Sequence, residues 1–154
     1  EKHSVKTSIT LSDPSVVDFF NDGFHKVIGT GVDLLFCNEE EAFTFTGKSI
    51  LLEAREELNS YAKSFAIPLG KNGAMIFDGD TFIDIESYPV DAIDSNGAGD
   101  MFAGAFLYGL THGHSHAQSG KIASLASSKV VSKFGPRLEW HHAKGILNHI
   151  FQVD

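Results

Sequence analysis

The sequence predicts an α/β fold, a mainly parallel central sheet flanked by helices. Three observations carry that expectation. Strand-like and helix-like stretches alternate over the first ninety residues. One of the strand-like stretches, "VDLLFCN", is apolar on both faces, as a parallel strand covered by helices on each side must be. The last third of the chain holds three helical patterns and no strand, which suits a sheet whose faces need covering.

Taken in order, "SVKTSITL" reads as a strand. "SDP" then opens a helix, with Ser12 or Asp13 as cap and Pro14 in the first turn. "SVVDFFNDGFHKVIG" continues it, with Val16, Val17, Phe20, Phe24 and Val27 at helical spacing. After "VDLLFCN", "EEEAFTFTG" is a short helix closed by Gly47, and "SILLEAREELNSYAKS" a longer one capped by Ser49. "FAIPLG" is a strand with Pro68 near its end. "GAMIFDGDTFIDIES" is a hairpin turning at Asp78–Gly79. "GAGDMFAGAFLYGL", "SHAQSGKIASLASSKVVSKFG" and "LEWHHAKGILNHIFQ" are helices.

Bulk properties narrow the function. The chain has 154 residues, 42% of them hydrophobic, with thirteen Phe, enough for one ordinary domain with a sizeable core. A net charge of -8 argues against a nucleic-acid partner or an anionic membrane surface. No apolar run reaches membrane-spanning length. The single cysteine, Cys37, rules out an internal disulfide and fits a reducing cytoplasmic setting. The opening "EKHSVKTSITLSDP" carries neither an initiator Met nor a signal peptide and reads as the middle of a protein.

The stretch "AIDSNGAGDMFAGAF" bears most directly on chemistry. A helix start leaves backbone N–H groups without intrahelical partners, at the positive end of the helix dipole. Gly97, Ala98 and Gly99 keep bulky side chains away from that start, so an anion can reach it. Asp100 then stands in the first turn, placed to accept a proton from a hydroxyl attacking a bound phosphoryl group. On spacing alone, a glycine-rich helix start with Asp100 as an ordinary first-turn charge explains the stretch equally well.

The stretch "DSNGAGDMFAGAF" resembles the second signature of the ribokinase-like (PfkB) carbohydrate and nucleoside kinases, D-T-x-G-A-G-D followed by small residues. Three further pieces agree in the family's order. "DLLFCNEEEAFTFTG" is similar to its strand followed by N-x-x-E, here Asn38 and Glu41. "PLGKNGAMIF" is similar to its T-x-G-x-x-G nucleotide loop, here Gly70 and Gly73. "VVSKFGPRL" resembles its late helix ending in a glycine turn. Two positions depart from the pattern: Ser95 stands where Thr is usual, and Pro68 replaces the Thr of the nucleotide loop and so lacks its hydroxyl.

The resemblance implies a ribokinase-like layered fold and ATP-dependent phosphoryl transfer to a nucleoside or sugar hydroxyl. Asp100 would be the catalytic base, and the N–H groups of Gly97, Ala98 and Gly99 the anion hole. Asn38 and Glu41 would orient Mg²⁺ and phosphates, through water, because Mg²⁺ keeps much of its hydration shell. Gly70 and Gly73 would admit the nucleotide phosphates, with Lys71 and Asn96 beside them among the nucleotide contacts. Ser124 falls where the family's late helix touches the base. Asp94 and the Gly135 carbonyl fall where many members hold a monovalent cation such as K⁺. The residues themselves leave blander readings open. Asn38 and Glu41 also suit an acid-rich solvated helix start, Gly70 and Gly73 an ordinary turn, and Ser124 a small-residue packing face.

The resemblance also implies a partial chain. The acceptor site and lid of such kinases come mainly from an N-terminal half with its own glycine-rich signature, and nothing here matches it. Residues 1–154 read as the C-terminal nucleotide-binding and catalytic half, with the missing half, and a second copy in a homodimer, as expected partners. "DSNGAGD", "NEEEA" and "FGPRL" are closest to adenosine-kinase-like members. The other reading is a non-catalytic nucleotide-binding module that keeps the fold for regulation. "HGHSH", with His112, His114 and His116, lies between helices and reads as a polar loop. His141 and His142 read as an exposed helix face.

Overall fold

The computed structural model describes residues 5–151, the Trp140 side chain excepted. It holds five strands in one sheet, in the order β1-β2-β3-β4-β5, and six α-helices. The chain divides into two compact units. One takes in the chain through Ile67 together with Phe77–Phe82; the other takes in Pro68–Ile76 and the chain from Ile83 onward.

The first unit is built on parallel pairing. β1 (Ser8–Thr10) pairs with β2 (Val32–Phe36), Ile9 opposite Leu35, and β2 pairs with β3 (Ala62–Pro68), Leu35 opposite Phe65. Val32, Leu34, Leu35 and Phe36 are all buried, as are Phe65, Ala66 and Ile67, which is the two-faced burial expected of covered parallel strands. β1 is shorter than the strand expected over "SVKTSITL", whose Ser4 lies outside the described residues.

One polar group interrupts β2. Asp33 accepts hydrogen bonds from Lys63 Nζ at 2.9 Å and from the Thr7 backbone N–H at 2.8 Å. These donors, Lys63 first, hold its carboxyl at about 2, down from an ordinary 3.8. A depressed carboxylate stabilises the fold above its unfolded value, and the contribution fades as pH falls through the folded one. Urea unfolding followed from pH 4 down to about 2 is therefore expected to show stability falling less steeply in Asp33→Asn than in the unaltered protein. Equal slopes would remove Asp33 from the acid response.

Helix α1 (Pro14–Ile28) has Asp13 as its cap. Asp13 Oδ1 accepts from the N–H groups of Ser15 and Val16, and Pro14 fills the first position. Ser12, the other candidate, instead takes a left-handed φ of 76°. The apolar stripe divides. Val17 and Ile28 are buried, whereas Val16, Phe20 and Val27 are exposed together with Phe19. Positions 17, 24 and 28 define a helical face as regular as 16, 20 and 27, so spacing alone does not choose between them. The helix is also interrupted at Phe20, whose φ and ψ are -118° and 26°.

Helix α2 (Glu39–Thr46) ends on Gly47 in the left-handed conformation, as expected. Helix α3 (Leu51–Leu58) departs from expectation at both ends. Its cap position is Ile50, which makes no side-chain cap hydrogen bond, so Ser49 is not the cap. It stops at Leu58, and Ala62–Ser64, expected in the helix, belong to β3. Pairing with β2 overrides the helical propensity of "SYAKS", as tertiary context often does.

The rest of the sheet and three helices follow. A 3₁₀ turn over Gly70–Asn72 leads to β4 (Ala74–Phe77). β5 (Phe82–Ile85) returns after a four-residue turn, in which Asp78 Oδ1 accepts from the N–H groups of Asp80 and Thr81 at 2.9 and 2.8 Å. Connections this short force antiparallel neighbours, so the sheet is mixed, though most strands run parallel. Helices α4 (Ala98–Thr111), α5 (His116–Val131) and α6 (Trp140–Phe151) follow. Gln152, expected in α6, lies outside the described residues. Ser115 and Gln118 cap α5 reciprocally. A Cβ on Gly109 of α4 would stand 2.5 Å from Ser119 Oγ of α5, so glycine lets these helices approach closely. Ile122, Leu125 and Ala126 of α5 pack with Ile146 of α6.

Candidate active site

The loop before α4 is fixed from two directions. The N–H groups of Ile93 and Asp94 both donate to the Val131 carbonyl, at 2.7 and 3.2 Å, using an acceptor the end of α5 leaves open. Asp94 Oδ1 accepts from the Asn96 N–H and Oδ2 from the Gly135 N–H, each at 3.0 Å. Those two amides, Asn96 first, hold its carboxyl below the usual range. Asp94 is thus brought to Gly135. The contact it makes is with the Gly135 amide, whereas the resemblance implies a role for that residue's carbonyl.

Gly97 is glycine for reasons inside the chain. It sits at the cap of α4 with φ 76°, a left-handed conformation that side chains disfavour. A Cβ there would also come within 2.5 Å of Pro136 Cβ and 2.9 Å of the Pro136 carbonyl oxygen. The "GP" of "FGPRL" and the first glycine of "GAG" are therefore parts of one packed turn.

Gly97 offers α4 no side-chain cap, whereas Asp13, Asn38 and Ser115 cap α1, α2 and α5. Gly99 and Asp100 occupy first-turn positions, whose N–H groups have no intrahelical acceptor. A Cβ on Gly99 would meet nothing within 4 Å, so that side of the helix start is open. The Ala98 N–H, one of the three expected anion donors, instead donates to the Ser95 carbonyl at 3.2 Å. The Asp100 amide, also in the first turn, takes its place among the donors available.

The Asp100 side chain is exposed and lines a cavity of about 620 Å³ walled by α4, α5, α6 and the 136–138 segment. Met101, Gly104 and Tyr108 line it from α4, Arg137 and Leu138 from the segment before α6, and Ile146 from α6. An isolated Arg after Gly-Pro has no spacing that marks Arg137 in the sequence.

In the nucleotide-loop segment the glycines differ. Gly70 has φ 58° and open space where a side chain would be, and Lys71 beside it is exposed. Gly73 has φ 87° and is buried, and a Cβ there would overlap the Ile85 carbonyl oxygen. The Leu69 N–H donates to the Gly73 carbonyl at 2.8 Å. Gly73 is thus required by contact with the end of β5, while Gly70 leaves the turn approachable. Asn96 is exposed in the loop before α4. Ser124 is buried, and its hydroxyl donates to the Glu86 carbonyl at 3.3 Å.

In the first unit, Asn38 and Glu41 form a reciprocal helix cap. Asn38 Oδ1 accepts from the Glu41 N–H at 2.8 Å, Glu41 Oε2 accepts from the Asn38 N–H at 3.0 Å, and Asn38 Nδ2 donates to Glu41 Oε1 at 2.8 Å. Glu41 is buried, and that burial pushes its carboxyl above the usual range, reinforced by the charges of Asp13 and Glu40. The pair is therefore not a solvated acidic helix start; Glu39 and Glu40, exposed on the same turn, fill that description.

Comparison with known proteins identifies the family. The model of the pfkB family of carbohydrate kinases matches residues 1–143. A ribokinase of Lactococcus lactis is 37% identical over 104 residues, covering 68% of this chain and 34% of its own length. Adenosine kinase 1 of Arabidopsis thaliana is 27% identical over 146 residues, 83% of this chain and 41% of its own. Among solved structures, a probable sugar kinase of Rhizobium etli superposes with a TM-score of 0.90 at 31% identity, and an adenosine kinase of Sinorhizobium meliloti with 0.90 at 29%. Each superposition covers 96% of this chain and 46% of the other, so the chain spans less than half the length of these relatives. A family match over most of the chain, with an ordered sheet and the glycine helix start carrying Asp100, makes this chain a member of the pfkB carbohydrate kinase family.

Proposed function

We propose that this chain is the catalytic and nucleotide-binding part of a kinase that transfers the γ-phosphoryl group of ATP to a hydroxyl of a nucleoside, adenosine-like, or of a sugar. The observation that carries the reading is the start of α4. It is uncapped and open over Gly99, and it bears an exposed carboxylate in its first turn. The Gly99 and Asp100 amides hold the phosphoryl oxygens at the positive end of the helix. Asp100 accepts the proton of the attacking hydroxyl. The Gly70 turn, with Lys71, admits the nucleotide phosphates. The buried hydroxyl of Ser124, engaged with Glu86, supports a packing role there.

ATP with Mg²⁺ supplies the phosphoryl group and neutralises its charge. A fold neighbour, a putative ribokinase II of Escherichia coli, has been solved with both. Glu41 offers hard carboxylate oxygens suited to such an ion through water. Glu41→Gln is expected to raise the Mg²⁺ concentration needed for half-maximal activity, and an unchanged titration removes Glu41 from the metal's surroundings. Asp94, ionised and bonded to Gly135, supports a monovalent-cation position, and the phosphofructokinase-2 of Escherichia coli has been solved with potassium. A turnover rate indifferent to K⁺ dismisses that role.

The test of the reading is ADP release with Mg-ATP and a panel of nucleosides and sugars. Acceptor-dependent turnover is expected from the complete kinase, in the range of about 1–100 per second. These 154 residues alone are expected to retain weak Mg-ATP binding without turnover, because in-line transfer needs an acceptor held against the γ-phosphate with water excluded. ATP binding without turnover in the complete protein overturns the enzymatic reading in favour of a regulatory module.

A further inference from the structure

Three side chains of types that ligate metals come together at the start of α6. Glu139, His141 and His142 each present one ligand atom, and these atoms all lie within 4.8 Å of one another. Glu139 Oε2 and His141 Nδ1 are 3.4 Å apart. The His141 and His142 rings lie with centroids 4.1 Å apart. The backbone holds this spacing, since the Glu139 carbonyl accepts from the N–H groups of His142 and Ala143 at 3.0 and 3.2 Å. We propose that Glu139, His141 and His142 form a transition-metal site for Zn²⁺, Ni²⁺ or Cu²⁺, distinct from any Mg²⁺ that accompanies ATP.

The chemistry of the donors selects the ion. Two imidazoles and a carboxylate are the ligand set of divalent zinc, nickel and copper, whereas Mg²⁺ prefers oxygen donors in a strict octahedron. Ligands about 2.0–2.2 Å from a common ion stand roughly 3.3–3.5 Å from one another in a tetrahedron, a distance the Glu139–His141 pair already meets. The start of α6 is a positive dipole end and opposes a cation; the Glu139 carboxylate, itself a ligand, offsets it. All three residues are exposed, so the site leaves one coordination position to water or to an incoming ligand. The other histidine cluster of the sequence does not compete. His112 bonds the Tyr108 carbonyl through Nδ1, His114 stacks on Phe151, and His116 faces Phe106.

The segment is also mechanically placed. It follows directly on Pro136, which packs against Gly97, and on Arg137 and Leu138, which line the cavity shared with Asp100. Metal bound at residues 139–142 fastens the start of α6 at the end of that segment.

The test is a calorimetric Zn²⁺ titration of the untagged protein, in a buffer that does not chelate, with excess Mg²⁺ present. Co²⁺ serves as a spectroscopic probe, since its visible absorption reports nitrogen ligation and low coordination number. One saturable site per chain is expected. His141→Ala and His142→Ala are each expected to weaken it by at least about tenfold, the scale seen even for groups behind the ligands. Circular dichroism and thermal melts of these surface variants are expected to match the unaltered protein. Absence of saturable binding, displacement of Zn²⁺ by Mg²⁺, or full retention of binding in the double His141→Ala, His142→Ala variant would overturn the proposal.

Discussion

Asp100→Asn is expected to lower turnover of the complete kinase by at least about a hundredfold, the lower scale for losing a general base, while ATP affinity changes little. Asparagine keeps the size of the side chain and some of its hydrogen bonding, but it cannot accept the hydroxyl proton. The fold is expected to hold, because the Asp100 side chain is exposed. Steady-state rates and ATP binding measured side by side read the two effects separately. A turnover within a few-fold of the unaltered enzyme would remove Asp100 as the base.

Two glycines two residues apart are expected to respond in opposite ways. Gly97→Ala forces a side chain into left-handed backbone, which costs about 1–2 kcal/mol. It also drives a Cβ into Pro136, adding the roughly 1–3 kcal/mol typical of overpacking. Denaturant unfolding is expected to show a loss of about 2–5 kcal/mol. Gly99→Val has no such conflict, since a Cβ at Gly99 meets nothing within 4 Å. Its unfolding midpoint is expected to hold, while ATP affinity and turnover both fall because the approach to the helix start is crowded. Intact affinity and rate in Gly99→Val would mean the phosphates do not sit there. An unchanged unfolding midpoint in Gly97→Ala would mean the turn against Pro136 is not needed.

That contrast shows where sequence reasoning stops. "GAG" before a carboxylate and an apolar helix marks a close approach, and the family resemblance supplies a phosphate as its object. Yet Gly97 is glycine because of Pro136, thirty-nine residues later, and its own φ; only Gly99 faces open space. Similarly, N-x-x-E is visible as a motif. That its two members cap one another three times over, with Glu41 buried, depends on how α2 is set against the rest of the first unit.

By itself the sequence determined the alternation of elements, a cap for α1 at Ser12 or Asp13, the glycine stop at Gly47, the turn at Asp78–Gly79 and the catalytic candidate Asp100. Each rests on local chemistry: a side chain reaching a backbone amide two or three residues away, or a periodicity repeated within one element. Tertiary structure alone decided which apolar face of α1 turns inward, that Ala62–Ser64 leave a helical pattern for β3, that Asp94 binds the Gly135 amide, and that Arg137 lines the cavity beside Asp100. These depend on partners tens of residues away. Periodicity leaves such choices degenerate, and burial and pairing with those distant partners settle them.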